Sequence, residues 1–171
     1  MKIDKVITGY LKENCYILSK DDKVLVIDPG DDIDKINKVI KNKDVVGVLI
    51  THRHHDHIGA LYNFNKYKIY DFNNLEEKEY IIDKFKFEVI YTPGHTSDSI
   101  SFYFKEDNIL FSGDFIFYEN IGRCDLPTGN YNIMKNSINA IKNYPLDMII
   151  YPGHGMNTTL EHEINNNIYF K

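Results

Sequence analysis

Seven histidines occur in the chain, and four of them fall in the segment THRHHDHIGA, residues 51–60. His52 and His54 stand two residues apart, and Asp56 and His57 are adjacent. Neutral imidazole and carboxylate groups are ligands for zinc, iron or manganese. On a tight loop the first pair can reach one metal ion and the second pair another. The segment therefore predicts half of a metal site.

The other half is predicted from three motifs that each follow an apolar, strand-like run. His95 follows VIYTPG, Asp114 follows ILFSG and His154 follows MIIYPG. Ligand sites in α/β proteins gather where strands end, and neighbouring glycines let the backbone turn sharply there. His55 and His162 are expected not to bind metal. Seven ligands remain, enough for two metal ions and a bridging carboxylate: His52, His54, His95, Asp56, His57, Asp114 and His154.

The elements that hold these side chains are predicted from apolar periodicity and turn residues. Strands are expected over 2–8, 14–19, 23–28, 44–51, 67–72, 84–92, 99–104, 108–114 and 146–151. Helices are expected over 31–43 behind an aspartate cap, and over 58–62, 133–141 and 158–167. Strands with interspersed helices predict an α/β layered fold. Since no linker or repeat divides the chain, residues 1–171 are expected to form a single domain.

Charge and composition limit the classes of partner. The formal net charge is −5 and the pI is near 5.8, so neither nucleic acid nor a membrane is an expected partner. Charged residues interrupt the apolar N-terminus, which predicts no signal peptide and a cytoplasmic location. Cys15 and Cys124 match no metal-binding or redox spacing. A small-molecule substrate is the expected partner, and the oligomeric state is left open.

A family resemblance rests on four motifs in order. THRHHDH resembles the His-x-His-x-Asp-His signature of the metallo-β-lactamase superfamily, and GHT at 94–96, SGD at 112–114 and GHG at 153–155 are similar to its later motifs. The resemblance implies a four-layer αββα sandwich with the site along one edge of its two sheets. It also implies one metal ion on His52, His54 and His95, a second on Asp56, His57 and His154, and Asp114 as the bridge.

Two further residues are assigned roles through the same resemblance. Asp28 in VIDPG matches a family position whose carboxylate supports the histidine loop; the alternative is a turn aspartate before proline. Arg123 lies near the position where larger relatives place a basic substrate-binding residue, and its guanidinium could hold a substrate carboxylate. The alternative for Arg123 is an internal pair with Asp125.

Differences between branches of the superfamily narrow the expected activity. The commonest β-lactamases have cysteine where this chain has Asp114, and flavodiiron proteins have glutamate in place of His54. RNA-processing members carry basic surfaces that this acidic chain lacks. The segments IGRCDLPTGN, 121–130, and PGHGMNTTLEHEINNN, 152–167, resemble the small glyoxalase II-like proteins of the hydroxyacylglutathione hydrolase type. The resemblance therefore implies a thioester hydrolase.

The predicted reaction is attack on the thioester by a hydroxide that bridges two divalent metal ions. Zinc is expected, with iron or manganese as alternatives, and Asp56 is the catalytic residue that orients the hydroxide or accepts its proton. Three alternative functions remain open. They are a mononuclear iron persulfide (sulfur) dioxygenase, a hydrolase of lactones or phosphodiesters, and a non-enzymatic metal-binding module.

Overall fold

Two β-sheets form the centre of the computed structural model, which describes residues 1–171. The first sheet contains β1 (Lys2–Thr8), β2 (Glu13–Lys20), β3 (Lys23–Ile27), β4 (Asp44–Leu49) and β5 (Ile69–Tyr70). The strands lie in that order; β1, β2 and β3 are antiparallel neighbours, whereas β3, β4 and β5 run parallel. The carboxyl ends of β3, β4 and β5 therefore meet at one edge.

The C-terminal half of the chain supplies the second sheet and a small hairpin. Its strands are β6 (Glu79–Ile82), β7 (Phe85–Tyr91), β8 (Ile100–Phe104), β9 (Ile109–Gly113), β10 (Ile116–Phe117), β11 (Asn120–Ile121), β12 (Ile149–Pro152) and β13 (Thr158–Thr159). The hairpin pairs β10 with β11, and the sheet has the order β13-β12-β9-β8-β7-β6. Because β9 and β12 are parallel, their carboxyl ends also share an edge.

Four α-helices connect or follow the strands: α1 (Ile33–Ile40), α2 (His55–Ile58), α3 (Tyr131–Ile141) and α4 (Leu160–Asn166). Short 3-10 helices cover Leu61–Phe64 and Ile168–Phe170. The start of α3 is fixed by Asn130, whose side chain accepts hydrogen bonds from two backbone amides of the first turn. None of these helices has the length and apolar character needed to cross a lipid bilayer.

Three hydrophobic clusters fill the three interfaces between the layers. The cluster between the sheets includes Leu18, Leu25 and Phe111. A second cluster packs α3 on the outer face of the second sheet, and a third packs Ile36 and Ile40 of α1 on the outer face of the first. Strands β2 and β9 are buried on both faces, which explains why their sequences lack apolar alternation. The predicted four-layer αββα sandwich is confirmed.

The prediction of a helix over 58–62 is wrong. In the structure α2 ends at Ile58 and a separate 3-10 helix begins at Leu61. The backbone amide of Ala60 donates instead to the carbonyl oxygens of Pro29 and Gly30, at 3.0 and 2.9 Å. This tie to the turn after β3 interrupts the helix.

Two helix starts also differ from the prediction. The helix expected over 158–167 begins only at Leu160, because Thr158 and Thr159 pair with β12. The expected aspartate cap of α1 is absent, since the Asp32 side chain makes no capping hydrogen bond and accepts instead from the Gly9 amide at 3.1 Å. Local periodicity carries no information about these long-range partners.

Candidate metal centre

The predicted ligands lie together where the two sheets meet at one edge. The histidine loop, residues 51–57, follows β4, and His95, Asp114 and His154 follow β7, β9 and β12. The sheets are joined there by β2, whose Asn14 backbone amide donates to the carbonyl oxygen of Gly153 at 2.7 Å. Residues separated by up to about a hundred positions thus reach one site.

Three imidazoles form a first group. The Nδ1 atom of His54 lies 3.2 Å from Nε2 of His52 and 2.8 Å from Nε2 of His95. Their nitrogen atoms all fall within 4.8 Å of one another. The loop and the turn after β7 thereby present three nitrogen atoms to one point, as a metal ion requires.

A second group contains Asp56, His57 and His154. The Nε2 atom of His154 lies 3.2 Å from Oδ2 of Asp56, and Nε2 of His57 lies 3.9 Å from the same oxygen. The three ligand atoms again fall within 4.8 Å of one another. The structure therefore brings together the second set of residues that the sequence singled out.

Asp114 stands between the two groups. Its Oδ2 atom lies 3.4 Å from Nε2 of His95, and its Oδ1 atom lies 3.2 Å from Nε2 of His57 and 3.7 Å from Nε2 of His154. One carboxylate oxygen thus faces each group. This is the arrangement that a bridging carboxylate needs.

Hydrogen bonds to the outer ring nitrogen orient four of the five histidines. His57 Nδ1 donates to Asp28 Oδ2 at 2.9 Å, and His52 Nδ1 donates to Thr51 Oγ1 at 3.1 Å. The Nδ1 atoms of the other two, His95 and His154, donate to the backbone carbonyl oxygens of residues 123 and 11, at 2.7 and 3.2 Å. Each ring is held with Nε2 toward the site, which fixes its tautomer.

Asp28 is more than a turn residue. Its carboxylate also accepts hydrogen bonds from the backbone amide and hydroxyl of Thr51, at 2.8 and 2.6 Å. The side chain is buried, so it ties both ends of the histidine loop to the end of β3. The position supports the role that the family resemblance implied for it.

The electrostatics of the site favour neutral imidazoles in the first group and a cation in the second. Burial, with the neighbouring His57, lowers the pKa of His52 well below its usual range, and burial with His95 lowers the pKa of His54. Burial opposes protonation of His57 as well, but the carboxylate of Asp114 raises its pKa. Because the Asp114 carboxylate stabilises positive charge on His57, it also attracts a metal cation.

The residues present fit a metal centre. His57 Nε2 and Asp114 Oδ1 are buried, lie 3.2 Å apart and have no hydrogen-bond partner. Buried polar atoms without partners are destabilising and rare. A divalent cation between them would satisfy both atoms, and the nitrogen and oxygen donors suit zinc, iron or manganese.

A cavity of about 430 Å³ opens onto the centre. Its walls include Leu11, Phe117, Ile121 and Leu126 beside the ligand residues, and Arg123 lies at its edge. The volume suits a small molecule.

Arg123 is paired with Asp125. Its Nε and Nη2 atoms donate to the two carboxylate oxygens at 2.7 and 2.8 Å, and both side chains are exposed. The internal pair that the sequence left as an alternative is therefore present. Arg123 still borders the cavity, so the pair and a contact to substrate are compatible.

Sequence reasoning missed two acidic residues near the site. Glu13 is only 1% exposed and lies beside Asp28 and His57, and burial raises its pKa well above the usual range. Asp71 is 3% exposed and binds the guanidinium of Arg53. Neither residue stands in a recognisable motif, so no local signal marked it.

The two histidines predicted not to bind metal lie apart from both groups. His55 is exposed at the start of α2. His162 on α4 contacts Glu119, with Nε2 and Oε1 3.0 Å apart. Neither contributes an atom to the candidate centre.

Fold and site together define an αββα protein with a histidine and aspartate centre suited to metal. The family model described as "Metallo-beta-lactamase superfamily" matches residues 8–71 and 65–154, and the chain belongs to this superfamily. A relative from Streptococcus pyogenes serotype M6, named "Probable metallo-hydrolase", is 33% identical over 99% of this chain and 90% of its own length. A Haemophilus influenzae relative named hydroxyacylglutathione hydrolase is 30% identical over 98% of this chain and 97% of its own.

Solved structures agree with this assignment. A protein described as a B3 metallo-beta-lactamase superposes with a TM-score of 0.93 at 29% identity and covers 99% of both chains. A second structure, described as a di-iron-bound form, gives a TM-score of 0.88 at 27% identity over 97% of this chain and 99% of the other. The metallo-β-lactamase resemblance predicted from the four motifs is confirmed.

Proposed function

We propose that this protein is a metal-dependent hydrolase that cleaves a thioester of a small molecule. One observation carries the metal half of the proposal: Asp114 directs one carboxylate oxygen toward each of two ligand groups. His52, His54 and His95 would hold one divalent ion, Asp56, His57 and His154 would hold a second, and Asp114 would contribute one oxygen to each. Zinc is the proposed metal, and the di-iron relative makes iron the first alternative.

Two observations support the thioester half of the proposal. The Haemophilus influenzae relative named for hydroxyacylglutathione hydrolysis spans nearly this whole chain. No serine or cysteine side chain lines the cavity, and water is therefore the attacking group in the proposal. A thiol is a stronger acid than an alcohol, so the thiolate leaves readily once water has attacked.

When bound, the metal ions acidify water and polarise the acyl oxygen. Asp56 would orient the attacking water and accept its proton at Oδ, because its carboxylate lines the cavity. In the metal-free protein burial opposes ionisation of Asp56, but the hydrogen bond from His154 lowers its pKa. The apolar walls at Phe117 and Ile121 would contact the acyl group and exclude bulk water.

The test compares one preparation on several substrates. Metal content is measured first, and the protein loaded with zinc, manganese or iron is then assayed on lactoylglutathione, other acyl thioesters and a matched oxygen ester. Asp56→Asn should lower kcat on the preferred thioester by about 100-fold or more. His162→Ala, a histidine outside the centre, serves as the control and should leave kcat unchanged.

Other outcomes would replace the thioester assignment. Cleavage only of a lactone, a phosphodiester or a β-lactam would contradict it while leaving the metal half in place. One iron per chain, with oxygen uptake on a glutathione persulfide, would identify a dioxygenase instead. Failure of the purified chain to bind any divalent metal would contradict both halves.

A further inference from the structure

His54 is held differently from the other histidines of the centre. The other four present Nε2 to the site and donate Nδ1–H to a protein oxygen. His54 presents Nδ1, which lies 2.8 Å from Nε2 of His95, and its outer nitrogen, Nε2, has no protein partner. Histidine ligands are normally oriented through that outer nitrogen. Something else must fix this ring.

The residue before His54, Arg53, supplies a side-chain anchor for this part of the loop. Arg53 Nε donates to Oδ2 of Asp71 at 2.9 Å, and its Nη2 atom contacts the same oxygen. Asp71 is buried, and its other oxygen accepts a hydrogen bond from the Asn73 backbone amide at 2.9 Å. A guanidinium bound at two nitrogens to a fixed carboxylate leaves the neighbouring backbone little freedom.

The strand order of the first sheet explains why the Asp71 carboxylate can reach Arg53. Strands β3, β4 and β5 are parallel neighbours, so the residues that follow them lie side by side. Asp28 follows β3 and holds the two ends of the histidine loop at Thr51 and His57. Asp71 follows β5 on the other side and holds the middle of the loop at Arg53. Two aspartates from flanking strands thus clamp one loop.

We propose that Arg53 and Asp71 form a positioning pair that sets the direction of His54 and thereby the metal affinity of the group His52, His54 and His95. The pair acts through the backbone between His52 and His54, and it touches neither metal nor substrate. The inference rests on the proposed function only in requiring a metal ion at this group. It does not depend on which substrate is cleaved.

The affinity test isolates each metal group in turn. In a His154→Ala background, which weakens the second group, Zn²⁺ is titrated against a competing chelator with and without Arg53→Ala. Loss of Arg53 should weaken Zn²⁺ binding by about 10- to 100-fold, the range typical for removal of a ligand's support. In a His95→Ala background, where the second group binds, the same substitution should leave Zn²⁺ affinity unchanged.

Conservative and control variants separate positioning from general damage. Arg53→Lys keeps the charge but offers one nitrogen in place of a fork, so it should recover part of the lost affinity. Lys84→Ala removes an exposed ion pair with Asp21 elsewhere on the surface and should have no effect. The Co²⁺ absorption spectrum should change in Arg53→Ala and remain unchanged in Lys84→Ala, because only the former alters ligand direction.

Hydrogen exchange in the metal-free protein provides a readout that needs no metal. Arg53→Ala should speed amide exchange at residues 52–56 and leave the core strands unchanged, since Arg53 itself is exposed. Wild-type Zn²⁺ affinity together with wild-type exchange in Arg53→Ala would overturn the inference. If the wild-type chain binds no metal at all, the proposed function and the metal part of this inference both fail. Faster amide exchange in Arg53→Ala would then establish only that Arg53 and Asp71 restrain the loop.

Discussion

Asp28 and His57 are separated by 29 positions, yet Asp28 Oδ2 and His57 Nδ1 are joined by a 2.9 Å hydrogen bond. The same carboxylate accepts two hydrogen bonds from Thr51. Three donors converge on one buried acceptor, so a neutral amide cannot replace it without placing a donor against a donor. The orientation of His57 in the second metal group therefore depends on the charge and acceptor capacity of a single residue.

Asp28→Asn should weaken metal binding at the second group by about 10- to 100-fold. Asparagine tolerates the positive φ of 49° at this position, so the backbone should be preserved. Metal retained per chain after dialysis against a chelator measures the effect. Asp31→Asn, on an exposed neighbour whose carboxylate accepts from the Asp32 amide, is the matched control. Equal metal retention in the two variants would contradict the assigned role of Asp28.

Gly153→Ala should abolish metal binding at the centre. A Cβ atom at this position would overlap Asp114 Oδ1 and lie 2.6 Å from Cε1 of His57. The clash displaces two ligand side chains, and overpacking of this kind costs about 1–3 kcal/mol of stability. Thermal unfolding and metal analysis of the same sample would report both effects.

Gly155→Ala, two residues further along the chain, is the control for that substitution. Nothing lies within 4 Å of a Cβ atom there, but the φ of +79° is unfavourable for alanine. We expect a stability loss of about 1 kcal/mol with full metal content. If both alanine variants kept metal, close packing at Gly153 would not be a condition for the site.

Arg123→Ala should raise KM for thioesters that carry a carboxylate and leave KM for neutral thioesters unchanged. Asp125→Asn should act in the opposite direction, because Asp125 now occupies two of the guanidinium nitrogens. Both residues are exposed, so an effect of about twofold to fivefold on KM is expected. Steady-state kinetics on a matched pair of anionic and neutral thioesters measures it. Equal changes in KM for the two substrates would argue against a charge contact.

Much of the candidate centre was predictable because its ligands follow strands that end in glycine or threonine. The runs before His95, Asp114 and His154 are apolar enough to identify as buried strands, and parallel or adjacent strand ends converge. Strands β2, β3, β8 and β9, which are almost entirely buried, were predictable for the same reason. Local sequence sufficed wherever burial on both faces left a continuous apolar run.

The features that sequence missed depend on partners far along the chain. The two-residue strands β10, β11 and β13 exist through pairing and carry no periodicity. Arg53 shows no role in the local sequence, because the carboxylate that binds it lies 18 residues away. Glu13 is one of the charged residues of the N-terminal segment, yet the fold buries it. Such roles follow from sheet topology, which determines which strand ends become neighbours.

The two cysteines should differ in their reaction with a thiol reagent. Cys15 is fully buried and should react only after unfolding. Cys124 is partly accessible. Its pKa is raised mainly by partial burial and to a smaller extent by the carboxylate of Asp125. The thiolate is the reactive form, so a raised pKa means that less of Cys124 is reactive at a given pH. An ordinary thiol is half ionised at about pH 8.5. The alkylation rate of Cys124 should therefore still increase with pH above that value.

Removal of the Asp125 charge tests the cause of that shift. Asp125→Asn leaves the burial of Cys124 in place and removes the repulsion between carboxylate and thiolate. It also releases the guanidinium of Arg123, whose positive charge acts on the pKa in the same direction. The pKa of Cys124 should therefore fall part of the way, and iodoacetamide should react faster at about pH 8 than it does with the wild type. Peptide mass spectrometry follows the modification of Cys124, with Cys15 as the internal reference. A rate profile unchanged by Asp125→Asn would leave burial as the sole cause, and faster labelling of Cys15 as well would indicate that the variant had loosened the fold.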